Sequence, residues 1–397
     1  VKNTRYFTLN FTGFTPAASE KQSYLRLVAD DHVYYTDTRY FQDPTLFEQL
    51  KLNQPLHIGA RRLPDGSFWI HWLSDGNVLL EPARPSLKGK LLAFFIGTLA
   101  FISIACPTYI YLTAVWAVIT FGVIAALALG VALVGLCGLV HRFAQTAHPE
   151  MRELLVKMER VRRGDFSFCQ PVATATRRCI PLFPDDTPVP ERFSVEEGII
   201  KNLYFKKWST GAGKTHRDYH GVLFQCSAAP LSFSWQTTGT RWGLHPLFYR
   251  RHPPFLAKGD RILAVYRRDN GNVQALYNGS DGGAYLKAHP FYPGEQQMSL
   301  VYKVFYSIAL LMFLFMLGLE LNDMRASGWD GWKFATETLD LFSLTLLCIG
   351  GVIALLELGS LATRMLSSRV GDWVTLQRTF KRYLGRAEAN TTLQELM

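Results

Sequence analysis

The sequence predicts an α+β membrane protein, built as two copies of a small β-barrel-like domain. Each copy is followed by a two-helix transmembrane hairpin and a basic amphipathic helix, giving four transmembrane helices. Three observations carry this expectation. Residues 91–140 form an almost unbroken apolar run, about twice the roughly 20 residues that one spanning helix needs. Residues 300–319 and 339–362 repeat the plan. Ahead of both hairpins, short alternating runs rich in Tyr, Phe, Val and Trp are split by turn residues, as strands are.

The first β domain is expected over 1–88, with turns at Ala29-Asp30-Asp31 and Pro64-Asp65-Gly66. In 67–73, strict alternation puts Phe68, Ile70 and Trp72 on one face and Trp69, His71 and Leu73 on the other. A strand apolar on both faces is covered on both sides. Hairpin 1 occupies 89–140, with its turn at Pro107-Thr108. Backbone groups in lipid must be satisfied within each segment, so two helices are implied.

A basic juxtamembrane helix follows over 141–165: Pro149 opens it, Met151, Leu154, Leu155, Met158 and Val161 recur at helical spacing, and Gly164 ends it. Arg152, Lys157 and Arg160, like Arg378, Lys381 and Arg382 of the second basic helix, would face the membrane surface, unless the helices dock onto the β domains. Residues 166–192, with Pro171, Pro181, Pro184, Pro188 and Pro190, read as an extended linker.

The second β domain, 193–297, repeats the first. Thr38-Arg39-Tyr40 with Pro44 is echoed by Thr240-Arg241-Trp242 with Pro246. Arg61-Arg62, ahead of Pro64-Asp65-Gly66 and Ser74-Asp75-Gly76, is echoed by Arg267-Arg268, ahead of Asp269-Asn270-Gly271 and Ser280-Asp281-Gly282. Hairpin 2 spans 298–363. A second basic helix and tail fill 364–397, where Trp373, Leu376, Phe380 and Leu384 oppose Arg378, Lys381, Arg382 and Arg386.

Lys88, Lys90, Arg142, Lys303, Arg364 and Arg369 gather on one side of the membrane segments. By the positive-inside rule, both β domains and both termini are expected in the cytoplasm, at a bacterial inner membrane. The 42 Lys and Arg against 32 Asp and Glu, a net +10, point to anionic lipid at that face before nucleic acid. Six cysteines without a Cys-x-x-Cys pair suit a reducing compartment. Residues 1–14 have no signal-peptide core, so the first domain is expected to stay inside.

Gly211-Ala212-Gly213-Lys214-Thr215 fails as a phosphate-binding loop because Trp208 stands where a glycine is required; it reads as a hairpin tip between strands 203–207 and 221–225. His216 and His220 precede a strand-like run and have no completing ligand set. No cofactor, metal or catalytic residue is therefore assigned. Glu357, within an apolar helix, is the intramembrane functional candidate, because an ionisable group there is costly unless paired or hydrated. Gly122, Ala126 and Gly130, and Gly350, Gly351 and Gly359, suggest close helix packing within the chain or in a homo-oligomer.

Arg39, Arg61, Arg62, Arg241, Arg267 and Arg268 are the candidates for gripping a partner or an anionic ligand. The expected function is a non-catalytic membrane protein presenting duplicated β domains to a protein partner, as regulator, scaffold or toxin-neutralising factor. A channel or transporter using Glu357 is the alternative, and a membrane-bound enzyme the third choice.

Overall fold

The computed structural model of the chain describes residues 4–18, 22–29, 32–83, 87–111, 115–172, 189–211, 217–226, 230–236, 252–289, 292, 301–307, 309–310, 313, 317, 331–387 and 393–396. The chain is a mixed α+β protein with several sheets and, among the described residues, three helices long and apolar enough to cross a membrane. It divides into two compact units: Val1–Arg178 with Gly239–Pro253, and Cys179–Thr238 with Pro254–Met397.

In the first unit, strands β1 (Thr4–Asn10), β2 (Thr15–Pro16), β3 (Tyr24–Ala29), β4 (His32–Asp37), β5 (Pro55–Arg62), β6 (Phe68–Ser74), β7 (Leu79–Leu80) and β8 (Gln170–Pro171) form one sheet. Its order is β2-β3-β4-β6-β5-β1-β8, with β7 on β6. The β4–β6 and β1–β8 pairs are parallel and the rest antiparallel.

All seven residues of β6 are buried, but their faces differ from strict alternation. Against β5 the register slips between Gly59 and Ala60, so Gly59 opposes Trp72 and Ala60 opposes Ile70, leaving His71 as the extra residue of a bulge. Phe68, Ile70 and Leu73 consequently share one core with Phe7, Leu27, Leu56 and Ile58. Trp72 joins Tyr6 on the other side. Gly59 is what makes room for that indole: a Cβ there would lie 2.1 Å from Trp72 Nε1.

Helices α1 (Lys88–Tyr111) and α2 (Val115–Ala147) form the hairpin. The helix runs through Pro107 instead of turning there, so any turn between them falls at 112–114, outside the described residues. Close approach of the two helices is made at Gly97 and Gly135. A Cβ on Gly97 would meet the Ala132 backbone nitrogen at 2.5 Å, and one on Gly135 the Phe94 nitrogen at 2.5 Å, whereas Gly130 meets nothing within 4 Å. The outward faces are apolar and uncovered, as at Leu99 and Leu127, which is the surface a lipid solvent accepts.

Helix α3 (Pro149–Arg162) buries Met151, Leu154, Met158 and Val161 against Tyr6 and Trp72, while Leu155 is exposed. Residues 166–172, expected as the start of a linker, are held on this sheet. Phe166 stacks on His57 with ring centroids 4.0 Å apart, and β8 extends β1.

The second unit has a three-stranded sheet of β10 (Asn202–Thr210), β11 (Arg217–Gln225) and β12 (Pro230–Gln236), in that order. A five-stranded sheet runs β16-β15-β14-β13-β9, from β9 (Phe193–Ile199), β13 (Arg261–Arg267), β14 (Val273–Asn278), β15 (Gly283–Lys287) and β16 (Leu393–Leu396). Only β15–β16 is parallel among its pairs. Phe233 of β12 meets Tyr285 of β15.

Helix α4 (Gly331–Leu366) contains the third apolar span, Thr336–Leu366. Of the expected span at 300–319, residues 301–307, 309–310, 313 and 317 are described, and all are helical. After Ser367, helix α5 (Ser368–Ala387) lays Val370, Trp373, Leu376, Phe380 and Leu384 on the five-stranded sheet, against Leu263, Val265, Ala275 and Leu286. The Trp373 indole N–H donates to the Lys287 carbonyl at 2.8 Å, which fixes the ring that a buried Trp needs satisfied.

Candidate functional site

The repeated arginine pairs end in different places. In the first unit Arg61 is largely buried and lies 3.8 Å from Glu150 of α3, while Arg62 at the end of β5 is exposed. Arg39 grips Asp37, which caps the 3-10 turn at Thr38–Tyr40, with Nε 2.9 Å from Oδ1. Arg241 lies outside the described residues.

In the second unit Arg267 and Arg268 line a cleft of about 330 Å³ together with Arg192, Asp269 and Arg369. The fold assembles it from three directions. Antiparallel pairing of β9 with β13 puts Phe193 opposite Arg267, and the Arg268 N–H donates to the Arg192 carbonyl at 3.0 Å, placing Arg192 beside Arg268. The turn after β13 is closed by Gly271, whose φ of +65° a glycine adopts without strain. Docking of α5 brings Ser368, Arg369 and Asp372 to the same place. Arg192 donates to Ser368 Oγ at 3.3 Å and pairs with Asp372 at 3.3 Å.

Charge in the cleft is only partly neutralised. Arg267 pairs with Asp269 at 2.6 Å. Arg268 uses Nε on the Phe193 carbonyl at 3.2 Å and on Ser194 Oγ at 2.8 Å, and has no carboxylate partner among the described residues. Arg369 is exposed at the edge of the cleft. Sequence reasoning found Arg267 and Arg268 but missed Arg192, which stood in the linker, and used Arg369 only as an orientation marker. The available signal was position, since Arg369 closely follows an apolar span and Arg192 immediately precedes a strand.

A second surface is open. Tyr204 and Leu223 oppose each other on β10 and β11 and are 68% and 44% exposed. On the same face Trp208 stacks on Tyr219, with centroids 5.7 Å apart and planes 11° apart. Trp208 also lies over Gly221, where a Cβ would meet its ring at 2.6 Å. Lys206 is exposed on this face too. β10 is the edge strand, so its outer backbone groups are unpaired within the described sheet.

Glu357 accepts a hydrogen bond from the Tyr302 hydroxyl, so its carboxyl has a polar partner within the apolar segment. Of the basic residues on α3 and α5, Arg152, Arg378 and Arg382 are exposed. Lys157 lies 4.3 Å from the centre of the Phe168 ring, Lys381 is half-buried, and Arg160 pairs with Asp165 at 2.6 Å. The apolar faces of both helices cover their own sheets, so what these helices can offer a membrane surface is chiefly charge.

The repeated Ser-Asp-Gly triplets are turn chemistry. Asp75 accepts from the Asn77 and Val78 amides, and Gly76 has φ +91°. Asp281 accepts from the Gly283 amide at 2.8 Å and from Asn278 Nδ2 at 3.1 Å, and Gly282 has φ +73°.

Asp65 of the first unit lies 2.8 Å from His252 Nε2, whose other nitrogen is 2.7 Å from the Pro253 carbonyl and whose ring stacks on Tyr35. Burial alone would push the Asp65 carboxyl up. Hydrogen bonds from His252 and Ser67, with the attraction of His252, instead hold it at about 2. Burial pushes the Cys169 and Cys226 thiols up to about 11, which leaves them unreactive as nucleophiles at neutral pH. Among the described residues no group of three or more His, Cys, Asp or Glu could hold a metal. His220 sits on strand β11, paired opposite Trp235; His216 lies outside the described residues.

No family model matches the chain, and no curated protein or solved structure matches it.

Proposed function

We propose that the protein is a non-catalytic inner-membrane protein of bacteria that presents cytoplasmic β domains to a protein partner, as a regulator, scaffold or toxin-neutralising factor. The observation that carries this reading is the open face of the β10–β11–β12 sheet, where Tyr204, Leu223, Trp208 and Tyr219 are gathered beside Lys206. Large rigid aromatic side chains of this kind dominate binding energy at protein interfaces. An exposed edge strand next to them offers main-chain hydrogen bonds to a pairing segment. Lys206 favours a partner with an acidic rim.

We infer further that the two halves are a duplicated unit with four membrane helices and one orientation. What supports duplication is the matched pairing of β1–β5–β6–β7 and β9–β13–β14–β15, antiparallel throughout. In both, an arginine pair closes the second strand of the four and a Ser-Asp-Gly turn follows the third. Orientation rests on the basic residues at the helix ends.

The test is photo-crosslinking in native membranes with a probe at Tyr204. One defined partner should be captured, and Leu223→Ala with Trp208→Ala should abolish the capture while leaving the melting temperature within about 2 °C. Flux through liposomes containing the purified protein, with no partner captured, would favour the transport class instead.

A further inference from the structure

We propose that the cleft lined by Arg192, Arg267, Arg268 and Arg369 binds the phosphate-bearing headgroup of an anionic phospholipid. The reading does not depend on a protein partner and concerns a different surface.

Composition is the first argument. Four guanidinium groups converge on one cleft, with Asp269 at the site and Asp372 on Arg192 as the carboxylates that offset them. Like charges held together raise the energy of the empty site, and an anion relieves it. The second argument is donor availability. Arg268 spends only its Nε on the protein, so its terminal amino groups remain to donate, and Arg369 is exposed beside it. Guanidinium forks match phosphate oxygens in pairs, a geometry that a lysine cannot reproduce.

The third argument concerns rigidity. Arg192 is tied to α5 through Ser368 and Asp372 and to β13 through its backbone, so helix and sheet hold the arginines before any ligand arrives. The source of the phosphate follows from position. The apolar span of α4 ends at Leu366 and Arg369 is the third residue after it, at the depth where headgroups lie. A free phosphate would satisfy the arginines but not the apolar helix that leads to them. In the first unit, Arg61 is instead directed at Glu150.

The full chain in neutral detergent is titrated calorimetrically with short-chain phosphatidylglycerol, short-chain phosphatidylcholine and inorganic phosphate. Saturable binding of phosphatidylglycerol is expected, with little response to phosphatidylcholine. Arg268→Gln with Arg369→Gln should weaken it about tenfold, and Arg378→Gln with Arg382→Gln, exposed on α5, should not. Where the double variant melts early, Arg369→Gln alone carries the test, since that exposed side chain supports no described contact, and about threefold weakening is expected. Equal weakening by the α5 pair would show diffuse attraction and overturn the site. Inorganic phosphate competing at the affinity of the lipid would overturn the lipid as occupant, and absence of saturable binding would overturn both.

Discussion

Substituting Gly59 with alanine tests the packing of the first unit at its tightest point. The new methyl carbon would sit 2.1 Å from Trp72 Nε1 and 2.5 Å from Cε2, where ordinary contact begins at 3.4 Å. The ring edge would therefore have to retreat by about 1.3 Å. It has little room, because Trp72 is fully buried among Tyr6, Met151, Leu154, Met158 and Val161. Forcing extra volume into such a core costs about 1–3 kcal/mol, and the upper half is expected because the clash involves a ring pinned on its other side by a helix. For a unit of this size about 2–3 kcal/mol lowers the melting temperature by roughly 4–10 °C. Circular dichroism of the full chain in detergent reads this directly. Trp72→Phe removes the pyrrole atoms that clash, so the double variant should be destabilised less than the sum of the singles, a coupling of about 1 kcal/mol or more. Additive effects, or a neutral Gly59→Ala, would refute the claim that the glycine exists to seat the indole.

Three further outcomes are expected. Asp65 has its carboxyl held at about 2 against an ordinary 3.8, so it contributes about 2 kcal/mol that is fully present above pH 4 and is lost as pH falls towards 2; Asp65→Asn should flatten the acid limb of a stability–pH curve in that window. Trp373→Ala should cost about 3–5 kcal/mol, detached from the Lys287 carbonyl and from the sheet, and limited proteolysis should then cut within α5 first. Tyr302→Phe leaves the Glu357 carboxyl without that donor and should lower the melting temperature of the chain in detergent. Adding Glu357→Leu should restore it, an outcome a functional ionisable group would accompany with loss of activity.

The long apolar helices were legible because apolar runs of 20 or more residues have few physical interpretations, and α1, α2 and α4 are long and apolar enough to cross a membrane. The buried positions of α5 followed from period alone: Trp373, Leu376, Phe380 and Leu384 all pack on the sheet. Strand and turn chemistry was equally readable, so the hairpin flanking 211–216 is β10 and β11 in continuous register. Other features were hidden for identifiable reasons. A bulge is a one-residue slip set by tertiary contact, so the reversal of Trp72 had no signature beyond a glycine on another strand. The hairpin turn was misplaced because proline within a membrane helix is tolerated more readily than in water. The arginine cleft escaped because its members stand at 192, 267, 268 and 369, and only strand pairing and helix docking bring them together.

Helix α3, which covers Tyr6 and Trp72, comes after α1 and α2 in the chain, and α5 comes after α4. Apart from the last strand of each, β8 and β16, the strands of both sheets are therefore made before the helix that covers them, and one greasy side stays bare until that helix emerges. Closure is thus late, waiting in each half on a helix made after the long apolar ones. A fragment ending at residue 88 would carry an unsealed surface and would be expected to clump when synthesised alone.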